Sequence, residues 1–140
     1  MSTQGLEVID QTVHLTHEWI NELAERVGYS SRRSTLRLLR TTLHVLRDRL
    51  PEDEMAQFSA QLPLLIRGIM FEGWQLKLLP KTSLTFGPKV VAAMAGTTEF
   101  RGVEDTRYVF DLLNERISRG EVEDMRACLP RDIRDYWPAP

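Results

Sequence analysis

Arg33, Arg37, Arg40, His44 and Arg47 recur at spacings of four, three, four and three. On an α-helix this spacing holds them within about 80° of arc. Residues 32–49 carry six arginines and one aspartate, a local charge of 6 − 1 = +5. Such a face fits phosphates or an acidic partner, which makes these five residues the candidate binding site. The competing expectation is a solvated face paired with an acidic first helix, which holds Glu7, Asp10, Glu18, Glu22 and Glu25. No aromatic residue interleaves the arginines, so stacking on single-stranded bases is unsupported.

His14, His17 and Glu18 read H-L-T-H-E. Two imidazoles three residues apart can reach one metal from a helix face. The order differs from H-E-x-x-H, which places a carboxylate beside a metal-bound water, and no third ligand follows. They are therefore read as ordinary helical histidines, with His14 beside Glu18, and no metal is assigned. Cys128 is the single cysteine, so an intramolecular disulfide and a cysteine-based zinc site are both excluded. Its neighbours predict a partly buried thiol at a helix end, with no histidine or cation placed to activate it. Gly73, Gly87, Gly96 and Gly120 are scattered turn residues rather than a phosphate loop, and there is no G-x-S-x-G. No catalytic residue and no cofactor are assigned, and the reading leans away from an enzyme.

The elements that must position these residues are helical. The chain has 140 residues, a formal net charge of −2 and 42% hydrophobic residues, which suits one domain with a real core. No run approaches 18 apolar residues, and the start MSTQGLEVIDQ has neither a basic nor an apolar stretch. The expected setting is the cytoplasm, away from membranes.

Ile9, Val13, Thr16, Trp19, Ile20, Leu23, Ala24 and Val27 form a 3.6-period stripe over Glu7–Val27, closed by Gly28. Ser30 or Ser31 caps a second helix, about Arg32 to Arg49. Its apolar arc is wide enough to predict a central helix packed by several others. Helices follow at about 51–60 and 63–72, then 85–95, 102–117, 119–128 and 130–137. Residues 73–84 read as an irregular connection lying on the body through Leu76, Leu78 and Leu79, with room for a short extended piece. Trp19, Trp74, Trp137, Met55, Met70, Met94 and Met125 are expected in the core.

Shifting the chain on itself by 67 residues aligns residues 34–70 with 101–137 without a gap. Nine positions are identical, among them Arg40/Arg107, Arg49/Arg116, Glu54/Glu121, Leu62/Leu129, Pro63/Pro130 and Arg67/Arg134. The prediction is an all-α fold built from an internally duplicated unit, with two four-helix half-domains packed by pseudo-two-fold symmetry. The units run over about 8–72 and 85–137 of a single domain, 1–140. Pro63 and Pro130 turn the chain at matching Leu-Pro corners. Beyond them Arg67 and Arg134 are placed to grip helix-end carbonyls or the Asp48 and Glu115 carboxylates, so alanine at either is expected to cost about 1–3 kcal/mol. Ser118 and Glu121 form a capping box. The arginine stripe itself is not repeated: its counterparts are Phe100, Glu104, Arg107, Asp111 and Asn114.

The segments LHVLRDRLPEDEMAQFSAQLPLLIRGIMFEGW and FDLLNERISRGEVEDMRACLPRDIRDYW resemble the bacterial family catalogued as domain of unknown function 2267. The resemblance covers about residues 15–137. It implies an all-helical bacterial cytoplasmic protein with a stress-response context, and no established activity, substrate or cofactor.

Three functions stay open on these residues. The favoured one is a non-enzymatic interaction or scaffold module, with a protein partner or self-association. The second is binding of nucleic acid or another anionic partner on Arg33, Arg37, Arg40, His44 and Arg47. The third is a ligand-binding or catalytic site between the half-domains.

Overall fold

The computed structural model describes residues 5–75 and 85–140, and these are helical without a strand. The helices are α1 (Glu7–Val27), α2 (Arg32–Arg47), α3 (Glu52–Ala60), α4 (Leu64–Phe71), α5 (Phe86–Ala93), α6 (Thr106–Arg116), α7 (Arg119–Cys128) and α8 (Arg131–Arg134). A 3-10 turn, Val103–Asp105, leads into α6.

The local signals act as their chemistry dictates. Gly28 takes φ 82°, the left-handed geometry that closes α1, and its N–H bonds the Ala24 carbonyl. Ser31 caps α2 by accepting from the Ser34 N–H at 3.1 Å. Pro63 and Pro130 stand immediately before α4 and α8 with extended ψ, where a missing N–H costs nothing. The Ser118 hydroxyl accepts from the Glu121 N–H at 3.3 Å. The return half of that capping box is absent: the Ser118 N–H bonds the Gln61 side chain instead, and Glu121 turns toward α3.

Several boundaries differ from the periodicity. The second helix stops at Arg47, and Arg49 and Leu50 lie in the turn after it. The segment 102–117 divides into a 3-10 turn and α6, and α8 is a single turn. Leu76, Leu78 and Leu79 lie outside the described residues.

α2 is the central helix, packing on α1, α4, α5 and α6. Leu38, Leu39, Leu43 and Leu46 on it are fully buried. Each contributes about 1.5–3 kcal/mol by leaving water. α1 packs on α4 and α6, α3 on α4 and α7, and α5 on α8. Phe110 stacks on Trp137 with ring centroids 4.7 Å apart, and Phe86 lies beside both Phe110 and Tyr136. Met55, Met70, Met94, Met125, Trp19 and Trp137 are in the core. Trp74 is not: it is 36% exposed, with its ring against that of Phe71 in an edge contact, because α4 has already ended.

Candidate functional site

The arginine face of α2 is largely spent on the ends of other helices. Arg37 lies across the end of α5, donating to the carbonyls of Ala93 and Ala95 and to the Thr97 hydroxyl. Arg40 pairs with Glu72 at 2.9 Å. His44 Nε2 sits 2.7 Å from the Ile69 carbonyl. Arg47 is buried and donates to the carbonyls of Met70 and Glu72 and to Asp48. The last carbonyls of a helix carry its partial negative charge, so guanidinium groups settle there. Arg33 alone of the five is exposed and makes none of these bonds. Four of the five thus have partners within the chain, at the end of α5 and around the end of α4.

The acidic side of α1 turns to α6 and to its own last turn. Glu22 takes Arg116 and Arg26, and Arg26 also takes Glu115. The Arg116 hydrogen bond, helped by Arg26, holds the Glu22 carboxyl below its usual range against the opposing effect of burial. The junction of α1 and α2 is braced from across the chain. Glu99 accepts from the Ser30 N–H, the Ser30 hydroxyl and the Ser31 N–H. Tyr29 donates to the buried Asp105, which also accepts from Arg101. Burial and then the Asp105 hydrogen bond raise the Tyr29 phenol well above its ordinary value.

The repeated prolines and arginines have different surroundings. Arg67 donates from Nε and Nη2 to the carbonyls of Ser59 and Ala60, at the end of α3. Arg134 is exposed on α8, with no side-chain hydrogen bond among the described residues. The Trp137 carbonyl, counterpart of the Met70 carbonyl that Arg47 holds, accepts from Arg126 at 3.0 Å. Asn114, the counterpart of Arg47, bonds the Pro138 carbonyl and accepts from the Trp137 indole.

His14 pairs with Glu18 at 3.2 Å, and both are exposed. His17 is exposed as well, and no cluster of three metal-ligating side chains occurs among the described residues. Cys128 is exposed rather than partly buried, because it ends α7 beside a cleft. Its thiol is pushed up by partial desolvation and by the acidic groups Glu54, Asp53, Asp124 and Glu121, which disfavours the reactive thiolate. The cleft, about 280 Å³, is lined by Arg47, Arg49, Pro51, Met55, Trp74 and Cys128 among others.

One surface was not anticipated. Val8, Ile9 and Val13 on α1 and Leu64 and Leu65 on α4 are all between 41% and 63% exposed. The two helices pack together, and the Leu65 N–H donates to the buried Thr12 hydroxyl at 2.8 Å. Ile9 and Val13 had been assigned to the buried side of the α1 stripe. Burial on that side begins instead with Thr12 and Thr16, so the first turns of α1 leave apolar side chains in water. A sequence signal existed: Leu64 and Leu65 face Arg131 and Asp132 in the repeat alignment, so the scaffold does not demand leucine there.

The architecture is that of an all-helical protein in which charged side chains chiefly join helix ends. The chain matches the family model described as "Uncharacterized conserved protein (DUF2267)" over residues 16–136, and it belongs to that family. No curated protein matches it significantly. No helix among the described residues is long and apolar enough to cross a membrane.

Proposed function

We propose that this chain is a non-enzymatic interaction module whose α1–α4 shelf docks a basic amphipathic segment of a partner protein. The observation that carries this is the shelf itself: Ile9, Val13, Leu64 and Leu65 exposed side by side on two packed helices. A contiguous apolar patch on a charged surface is where an amphipathic helix lays its own apolar face.

Charge selects the occupant. α1 itself is acidic, with Glu7, Asp10 and Glu18, and no Lys or Arg precedes Arg26. Arg67, the arginine of α4, is held on the α3 carbonyls. A basic segment is therefore attracted to this end of the molecule, whereas a second copy brings the same acidic helix against itself and an anionic lipid surface is repelled. The arginine face of α2 supplies no rival site for an anion, because Arg37, Arg40 and Arg47 have partners within the chain.

The same reading takes the frame as a duplicated unit with pseudo-two-fold packing. The contacts support it: α1 lies on α4 and α6 while α5 lies on α8 and α2, and α2 meets α6 as α3 meets α7. Exchanging the halves preserves these neighbours. A duplicated frame supplies rigidity, and the unmatched leucines at 64 and 65 supply the specialised face. The lone, inert Cys128 fits a reducing cytoplasm.

The test uses a synthetic leucine–lysine amphipathic helix of about 18 residues and a scrambled peptide of identical composition. Only the amphipathic peptide is expected to bind, and Ile9→Asp with Leu65→Asp is expected to weaken it at least about tenfold. Equal binding of the scrambled peptide, or full binding by the double variant, rejects the reading. Light scattering showing a dimer that Leu65→Asp dissolves assigns the shelf to a second copy and rejects the basic partner.

A further inference from the structure

Glu54 and Glu121 occupy matching places, in the first turns of α3 and α7. These helices pack on one another, and the Glu54 carboxyl is among the groups that raise the Glu121 carboxyl. One oxygen of each, Oε2, is shielded from water and has no hydrogen-bond partner among the described residues. An ionised carboxylate only accepts hydrogen bonds, so two carboxyls bond each other only when one keeps a proton. A buried carboxyl oxygen without a donor disfavours the ionised form, so two such oxygens on one seam favour keeping a proton there.

The two edges of the seam differ. At one edge Gln61 and Ser118 are clamped by two hydrogen bonds, of 3.1 Å and 2.8 Å. At the 67-residue offset, Gln61 becomes Cys128 and Ser118 becomes Pro51. Proline has no N–H and no side-chain acceptor, so that clamp cannot form. The cleft of about 280 Å³ opens there, with Pro51, Met55 and Cys128 in its wall.

We propose that Glu54 and Glu121 form a proton-operated latch on the α3–α7 seam. The shared proton keeps the seam shut, and its loss lets α7 swing from α3 about the Gln61–Ser118 clamp, widening the cleft at Cys128.

The surrounding charges favour this response. Desolvation, the Glu54 carboxyl and the Asp124 carboxylate push Glu121 up to about 7. On α3, Asp53 adds negative charge near the Cys128 end. From α4, Arg67 is committed to the Ser59 and Ala60 carbonyls. From α6, Glu115 and Arg116 are committed to Arg26 and Glu22. On α7, Arg119 pairs with Glu123, and Arg126 bonds the Trp137 carbonyl. Arg49, in the wall of the cleft, pairs with Asp132. Because the folded value of Glu121 is raised above its ordinary 4.5, its stabilising effect is complete below 4.5 and is lost as the pH rises through about 7.

The test follows amide hydrogen exchange in the full chain at about pH 5.5 and about pH 8, corrected for intrinsic exchange. Amides of α3 and α7 are expected to lose about tenfold more protection than those of α2. Glu121→Gln keeps a hydrogen-bonding side chain that does not ionise, and is expected to abolish that difference. An unchanged pH response in Glu121→Gln, or equal losses in α2 and α7, overturns the latch. If Glu121→Gln does not fold, carboxyl-carbon NMR of the unaltered protein decides. One of the pair titrating near 7 supports the latch, and both titrating near 4.5 overturn it.

Discussion

Arg47 donates to the Met70 carbonyl at 2.7 Å, joining the last residue of α2 to the end of α4. The guanidinium is buried, and it also serves Glu72 and Asp48. Arg47→Met keeps the aliphatic bulk but strips donors from buried carbonyls, at an expected cost of about 2–4 kcal/mol in denaturant unfolding. Arg33→Met, on the same helix face but exposed, is expected to change stability by no more than about 0.5 kcal/mol. Equal effects from the two changes would show that Arg47 contributes only surface charge.

Arg67 and Arg134 separate the shared sequence from the shared structure. Arg67 holds two carbonyls at the end of α3, while Arg134 stands in solvent. Alanine at 67 is expected to cost about 1–3 kcal/mol, and alanine at 134 less than about 0.5. Thermal melts of the two single variants and their pair measure this, with near-additive losses expected for separated sites.

Glu22 sets an acid limit. Its folded carboxyl titrates below the ordinary 4.5 because Arg116 and then Arg26 hold it ionised. A depressed folded value gives stability that is present above 4.5 and lost as the pH falls through the folded value. Glu22→Gln is expected to lower the melting temperature at about pH 7, by an amount that shrinks as the pH falls below 4.5 and the native glutamate takes up its proton. A variant that melts lower by the same amount across this range points to packing rather than charge.

The helices were legible because a 3.6 period writes itself as a stripe, and α1 and α7 have the bounds that their caps predict. The same stripe misled at Ile9 and Val13. Periodicity names a face but not how much of it the neighbouring helix covers: α4 bonds α1 at the buried Thr12, while Ile9 and Val13 on either side of it stay exposed. The partners of Arg37 and Arg47 were equally hidden. They are backbone carbonyls, which every residue owns, so no side-chain pattern announces them. Trp74 escaped for a related reason: aromatic content argues for burial, but α4 ends three residues before it. Glu54 and Glu121 were visible as a repeated identity, though only the packing of α3 on α7 brings their two helices together.

Thr12 connects the stability of the shelf with its proposed use. Its hydroxyl accepts from the Leu65 N–H, one of the orphan donors in the first turn of α4, at a buried position. Thr12→Val preserves shape and removes the acceptor, at an expected cost of about 1–2 kcal/mol. Thr12→Ser restores the oxygen and is expected to recover most of that loss. The first turn of α4 carries Leu64 and Leu65, so Thr12→Val is expected to lower its amide protection before that of α2. Binding of the leucine–lysine peptide is expected to weaken several-fold in Thr12→Val and to recover in Thr12→Ser. If Thr12→Val loses stability but binds the peptide as well as the native chain, the bond holds the fold without shaping the shelf.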